Sequence, residues 1–125
     1  MSDSNNVDIY DSTLKQYFGY EKLKPLQKSV IKAIMEEKCD VMAILATSYG
    51  KSICYQLPFL INEMKQCVII ISPLIALMED QKQTLLKKNI PVTALNSNMT
   101  LGTKNLIISN IADGENKIIY ITPEF

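Results

Sequence analysis

The stretch Leu45-Ala-Thr-Ser-Tyr-Gly-Lys-Ser52 lies between an apolar run and a segment with helical spacing. The apolar run covers residues 40–46 (D-V-M-A-I-L-A) and has the length and flanks of a buried strand. The segment after the stretch predicts a helix that Pro58 should kink or end. The triplet Gly-Lys-Ser brings a glycine, an ammonium and a hydroxyl to the start of that helix, where backbone N–H groups and the helix dipole attract phosphate. The stretch therefore predicts a phosphate-binding loop, with an ordinary strand-to-helix turn as the alternative.

The rest of the chain alternates between helical and strand patterns. Strands are predicted over residues 68–71, 92–95 and 117–122, and the first of them (V-I-I-I) is typical of a buried strand. Helices are predicted from a cap at Ser12 to Gly19, from Pro25 to near Lys38, from a cap at Ser72 with Pro73 in the first helical position to Lys87-Lys88, and from Leu101 to Asp113-Gly114. This alternation predicts an α/β fold with a parallel sheet and helices on both faces. Because the sequence ends directly after a strand, we expect the sheet to be incomplete.

Composition limits the function classes. The chain has 125 residues, of which 47% are apolar and 21% charged, as expected of one small globular domain. All 13 basic residues are lysines, and they balance 13 acidic residues, so any surface for nucleic acid must be a local patch. The absence of arginine excludes a guanidinium fork from this chain.

Cysteine usage and the N-terminus predict an intracellular protein. Cys39, Cys54 and Cys67 fit neither a zinc site nor a disulfide framework, and the sequence contains no histidine. Free, buried thiols are therefore expected. We expect residues 1–8 to be a polar, disordered tail, and they lack the features of a signal peptide. No apolar run is long enough to cross a membrane.

Five blocks of the sequence resemble, in order, the motifs of RecQ-like helicases of superfamily 2. The blocks are Phe18–Gln27 (motif 0), Leu45–Pro58 (motif I), Ile71–Gln81 (motif Ia), Ile90–Ser97 (the family's L-N-S segment) and Ile119–Glu124 (motif Ib). The resemblance implies a partial RecA-like P-loop NTPase domain. Residues 9–125 would then be the N-terminal portion of the helicase ATP-binding domain, ending before motif II.

The resemblance also implies an ATP site with Mg²⁺ as its metal. Lys51 would stabilise the β/γ-phosphate charge, Ser52 would bind Mg²⁺, and Gln27 would read the adenine edge. The implied ATP-binding residues are Lys24, Gln27, Thr47, Ser48, Tyr49, Gly50, Lys51 and Ser52. From the residues alone, Gln27 could equally be a polar residue on the solvent face of its helix.

Contacts to nucleic acid are implied at two strand ends and one helix start. The implied residues are Ser72, Pro73, Asn96, Ser97, Thr122 and Pro123. Ligands of open α/β sheets bind at the carboxyl ends of the strands, which agrees with these positions. Without the resemblance, Ser72-Pro73 is a plain helix cap and the other four residues are turn formers.

The sequence departs from the family inside and beyond the loop. Leu45 stands where the general phosphate-loop pattern has its first glycine, and Ser48 and Tyr49 stand where the family has glycine or another small residue. Neither motif II nor the second RecA-like domain is present, so no catalytic residue is expected within this chain. We expect the 125-residue chain to be inactive alone.

The leading hypothesis is the ATP-binding fragment of a helicase that couples ATP hydrolysis to unwinding in the complete enzyme. Its substrate would be nucleic acid, DNA more than RNA, with no role at a membrane. The alternatives are a non-catalytic module that binds nucleotide or nucleic acid, a fragment of an RNA helicase, and a decayed fragment without a stable function.

Overall fold

A computed structural model describes residues 8–45 and 50–123 of the chain. The chain divides into two compact units, Met1–Glu63 and Met64–Phe125. Every helix in the described part is too short, or too polar, to cross a bilayer.

The first unit is helical. Its elements are α1 (Ile9–Phe18), α2 (Pro25–Lys32), a π-helical continuation of α2 (Ala33–Glu37) and α3 (Lys51–Ile61). The ends predicted at Gly19 and near Lys38 are confirmed, because both residues adopt the left-handed conformation that closes a helix.

Helix α1 begins before the predicted cap. The Asp8 carboxylate accepts hydrogen bonds from the backbone N–H groups of Tyr10 (2.9 Å) and Asp11 (3.3 Å). The cap predicted at Ser12 is wrong, because an acidic side chain already caps the helix and the Ser12 hydroxyl donates to the Ile9 carbonyl instead. In the same turn of α1, the Tyr10 hydroxyl donates to the Glu36 carboxylate. Burial and this carboxylate raise the pKa of Tyr10 to about 12.

Helix α3 runs through Pro58 to Ile61, so of the kink or end predicted at Pro58 the end is wrong. The proline removes only one N–H group, and its own carbonyl still accepts the Asn62 N–H at 3.0 Å. The helix is held by its buried side chains, Ile53, Cys54, Gln56, Leu57, Pro58, Phe59 and Leu60.

All three cysteines are free as expected, but only Cys54 is buried, and burial raises the pKa of its thiol.

The strand predicted over residues 40–46 is not formed in residues 40–45, and Ala46 lies outside the described residues. Met42 and Ile44 are 91% and 90% exposed. A strand is stable in a sheet only when a neighbour completes its ladder, and the strands in the described part pair only with one another. The apolar pattern identified a segment suited to a strand but could not supply a partner for it.

The second unit is a three-stranded parallel sheet with helices, which confirms the predicted fold class. Its elements are β1 (Val68–Ile71), α4 (Ile75–Lys87), β2 (Val92–Leu95), α5 (Leu101–Ala112) and β3 (Ile118–Ile121). The strand order is β1-β3-β2. The three strands predicted in this unit are confirmed, two of them with the predicted bounds.

Burial differs between the two edge strands. All four residues of β2 are buried, so both faces of the sheet are covered there. In β1, Ile69 and Ile71 are exposed and alternate with half-buried residues. The buried strand predicted from V-I-I-I is therefore wrong, because one face of β1 is exposed and the other is only half-buried.

Helix α4 begins at Ile75, with Leu74 as its N-cap, so the cap predicted at Ser72 is wrong. The Ser72 N–H still extends the sheet, donating to the Ile121 carbonyl at 3.0 Å. The Ser72 hydroxyl accepts from the Leu74 N–H at 3.2 Å and forms a turn before the helix. The ends predicted near Lys87-Lys88 and at Asp113-Gly114 are confirmed.

An ion cluster links α1 to α2. The Lys28 ammonium is bound to the Asp8 carboxylate and lies 3.5 Å from Asp11 Oδ2. Burial acts to raise the pKa of Asp8, but the hydrogen bonds from Lys28, Asp11 and Tyr10 outweigh it and lower this pKa below its usual 3.8. The Asp8 hydrogen bond raises the pKa of Lys28 above its usual 10.5.

We predict that Asp8→Asn lowers the free energy of unfolding by about 0.5–1 kcal/mol near neutral pH. The amide keeps an oxygen for the cap but loses the charge that faces Lys28. The contribution of the Asp8 carboxylate to stability is present above pH 3.8 and is lost as the pH falls through its lower folded pKa. The contribution of the Lys28 ammonium is present below pH 10.5 and is lost as the pH rises through its higher folded pKa. Urea unfolding of both proteins at pH 7 and near pH 3 checks this, and a difference that persists unchanged in acid contradicts it.

Candidate functional site

The Gln27 side chain joins the start of α2 to the residue before α3. Its Oε1 accepts the Lys24 N–H at 2.9 Å, and its Nε2 donates to the Gly50 carbonyl at 2.9 Å. Gln27 is only 6% exposed, so it does not lie on the solvent face of its helix. The structure therefore brings together three of the residues predicted for the ATP site.

Gly50 adopts a conformation that favours glycine. Its φ of +86° lies in the left-handed region, and a Cβ atom built there would lie 2.7 Å from Gln27 Nε2. A side chain at this position would thus meet the same amide that the Gly50 carbonyl binds.

We predict that Gly50→Ala lowers the free energy of unfolding by about 1–3 kcal/mol, because it adds backbone strain and displaces Gln27. Gly102→Ala is the matched control. Gly102 lies within α5, and a Cβ there meets no atom within 4 Å, so alanine should stabilise the helix by up to about 1 kcal/mol. Chemical denaturation followed by circular dichroism distinguishes the two, and equal stability of Gly50→Ala and the unaltered chain would contradict the prediction.

Lys51 and Ser52 form the first turn of α3. Lys51 is exposed and Ser52 half-buried, and within the described ranges neither side chain has a hydrogen-bonding or ion-pair partner. An ammonium and a hydroxyl are thus available beside the N–H groups of a helix start, an arrangement suited to phosphate. Thr47, Ser48 and Tyr49 lie outside the described residues.

The donor set at this helix start fits Mg²⁺ bound together with phosphate. In the described part of the chain, no three acidic or cysteine side chains cluster as a metal cage would require. Mg²⁺ keeps several waters and takes substrate phosphate oxygens with one or two protein groups, so it needs no such cage. The Ser52 hydroxyl can serve as one of those protein groups.

The residues predicted to contact nucleic acid lie along one edge of the sheet in the second unit. Ile71, Ile121 and Leu95 are in register across β1, β3 and β2. The residue that follows each strand, Ser72, Thr122 or Asn96, therefore stands in one row at the carboxyl edge. The Thr122 N–H continues the ladder to the Leu95 carbonyl at 3.2 Å.

Access to this row is uneven. Pro73, Ser97 and Pro123 are exposed and Ser72 is half-buried. Asn96 is 4% exposed, and its Oδ1 accepts the Asn98 N–H at 2.9 Å in a tight turn. Thr122 is 1% exposed, and its Oγ1 has no hydrogen-bond partner among the described residues. Both side chains are thus buried in this structure, as the Gln27 amide in the first unit also is.

Sequence reasoning missed the contacts that fix Gln27. The bond from Lys24 is one half of a capping box, but the sequence signature of that motif requires a small polar residue at the cap, and Lys24 does not provide one. The bond to Gly50 joins residues 23 positions apart, and no local pattern predicts it.

Comparison with known proteins gives the family of the chain. Residues 24–125 match the family described as DEAD/DEAH box helicase. The chain belongs to this helicase family. The matched region includes the Lys24–Gln27–Gly50 contacts and the carboxyl edge of the sheet.

Similar helicases come from animals and bacteria. The chain is 44% identical over 112 residues to the bifunctional 3'-5' exonuclease/ATP-dependent helicase WRN of Mus musculus, covering 90% of this chain and 8% of the relative. It is 40% identical over 116 residues to ATP-dependent DNA helicase Q5 of Rattus norvegicus, covering 90% and 12%. It is 33% identical over 114 residues to ATP-dependent DNA helicase RecQ of Synechocystis, covering 91% and 23%. The resemblance to RecQ-like helicases is thus confirmed, and the chain spans about a tenth to a quarter of the length of these relatives.

Proposed function

We propose that this helicase-family chain is the ATP-binding part of an ATP-dependent DNA helicase. The observation that carries the proposal is the Gln27 amide, held between the Lys24 N–H and the carbonyl of Gly50, directly before the exposed Lys51. A base-reading amide and a phosphate-binding cation thus belong to one connected arrangement. ATP has an adenine base at one end and a triphosphate at the other, and this arrangement offers a group for each.

Different residues of the first unit bind the adenine and the phosphates of ATP. Gln27, whose amide can donate and accept, orients the adenine, and Gly50 leaves room for that amide. The Lys51 ammonium offsets the charge of the β- and γ-phosphates, and the N–H groups at the start of α3 add the dipole of the helix. Bound Mg²⁺ would neutralise charge on the phosphate oxygens, with Ser52 as one ligand.

The second unit would contact DNA through the carboxyl edge of its sheet. As a DNA helicase, the protein would act inside the cell. Ser72, Pro73, Ser97 and Pro123 are the members of the predicted set that solvent reaches. The relatives named above as DNA helicases support DNA as the nucleic acid. Contacts to phosphates carry no base information, so binding should be independent of sequence and should weaken as salt rises.

Calorimetric titration of the 125-residue chain tests the nucleotide proposal. ATP should bind in the presence of Mg²⁺, more weakly in EDTA, and GTP should bind less tightly than ATP because Gln27 reads the base. Equal affinity for ATP and GTP would remove the base-reading role, and no binding of either would overturn the proposal.

A further inference from the structure

The Asp11 carboxylate connects α1 to the segment that leads into α2. Its Oδ1 accepts the Leu23 N–H at 2.9 Å, across 12 residues of sequence. Its Oδ2 lies 3.5 Å from the Lys28 ammonium. One side chain in the first turn of α1 thus binds the chain before α2 and a side chain on α2.

The segment that Asp11 binds is the one that orients Gln27. The Leu23 side chain is buried, and the next residue supplies the N–H that Gln27 Oε1 accepts at 2.9 Å. The carbonyl of that same residue, Lys24, accepts the Lys28 N–H at 3.0 Å. The place of the Lys24 N–H therefore depends on where the Leu23 backbone is held.

The ion cluster of Lys28 with Asp8 and Asp11 holds the first turns of α2, just after Gln27. Lys28 follows Gln27 in the chain, and its ammonium is bound to Asp8 as well as to Asp11. By contrast, the pair Lys15–Glu21, which also joins α1 to the following loop, is largely exposed. Charge pairs exposed in this way contribute little, whereas a carboxylate that accepts a backbone N–H fixes a position.

We propose that Asp11 is a positioning residue for adenine recognition, acting through Leu23 and Lys24 on the amide of Gln27. This inference rests on the proposed function. Adenine presents a donor where guanine presents an acceptor, so discrimination between them requires a fixed amide. The phosphate-binding groups at the start of α3 are linked to that amide through its bond to the Gly50 carbonyl, but Asp11 acts on the opposite end of the amide, through Lys24. Loss of Asp11 should therefore act on the base and spare the phosphates.

Nucleotide titration of three variants tests the proposal. Asp11→Ala removes the acceptor and should reduce the ratio of ATP to GTP affinity by roughly tenfold, as expected for a hydrogen bond to a charged group. Asp11→Asn keeps an oxygen for the Leu23 N–H and should hold the ratio within about twofold. Lys15→Ala, which breaks the exposed pair on the same helix, is the matched control and should leave the ratio unchanged. Inorganic triphosphate should bind all three variants as it binds the unaltered chain.

The outcomes separate a positioning role from a merely structural one. If Asp11→Ala lowers the affinities for ATP, GTP and triphosphate by the same factor, or lowers none, the proposal is overturned. It is also overturned if Asp11→Asn loses discrimination as Asp11→Ala does. No nucleotide binding by the unaltered chain would overturn the proposed function and this inference together, whereas discrimination that survives Asp11→Ala overturns the inference alone.

Amide hydrogen exchange gives a measurement that needs no variant. The Leu23 amide should exchange slowly in the unaltered chain, because it is bonded to Asp11. In Asp11→Ala the Leu23 and Lys24 amides should exchange faster, while those of Leu57 and Phe59 in α3 stay protected. Exchange of the Leu23 amide at the rate of an open chain, before any substitution, would overturn the proposal.

Discussion

Replacing Lys51 with alanine should weaken ATP binding by about 100-fold, equivalent to about 2.7 kcal/mol. Lys51 is the first residue of α3, and its ammonium is exposed with no partner among the described residues. Because it stabilises no other group, its removal should change the free energy of unfolding by less than about 0.5 kcal/mol. Calorimetric titration with ATP and Mg²⁺ measures the first effect, and urea unfolding measures the second.

Lys32→Ala is the matched control for this prediction. Lys32 is an exposed lysine in the last turn of α2, in the same unit of the chain. Its loss removes the same charge and should leave ATP affinity within about twofold. If Lys51→Ala weakens binding no more than Lys32→Ala does, the start of α3 is not a phosphate site and the proposed function fails.

The elements that the sequence predicted best are those determined by local chemistry. Residues 68–71 and 92–95 form strands with the predicted bounds, because β-branched and apolar runs between turn residues leave few alternatives. Helices end at Gly19 and near Lys38 for an equally local reason, the left-handed residue at each end. The five motif blocks could be recognised because residue identity and order are visible in the sequence itself, and the family match confirms the family they indicated.

The predictions that failed depend on partners that a pattern cannot show. Residues 40–45 have the composition of a strand, but a strand also needs a neighbour, and none pairs with them in the described part. Pro58 was expected to kink or end α3, and the helix does not end there, because the buried side chains on both sides of the proline hold it. Ser12 and Ser72 are good caps by residue type, but Asp8 competes with the first and the sheet holds the backbone of the second.

The residues proposed for the ATP site were all named from the sequence, whereas the contacts among them were not. The Gly-Lys-Ser triplet is readable because the motif is continuous in sequence. The Gln27 contact to Gly50 and the Asp11 contact to Leu23 are tertiary, and each crosses at least a dozen residues. Such contacts form only once the helices pack, so composition and residue spacing do not predict them.

Leu57→Ala should have the largest effect on stability, lowering the free energy of unfolding by about 2–5 kcal/mol. Leu57 lies in the middle of α3 and is completely buried, so the truncation leaves a cavity as well as losing apolar contact. A loss of this size is a large part of the 5–15 kcal/mol typical of a small domain. Guanidinium unfolding followed by far-ultraviolet circular dichroism measures it.

Leu106→Ala makes the same chemical change at a position that is 63% exposed in α5, and should cost less than about 1 kcal/mol. The comparison also tests how α3 serves the phosphate site. Since Leu57 is about 1.7 turns from Lys51, the part of the Leu57→Ala protein that remains folded should bind ATP with nearly the affinity of the unaltered chain. A stability loss below about 1 kcal/mol would mean that α3 is not packed as described, and the placement of Lys51 at its first turn would then lose its support.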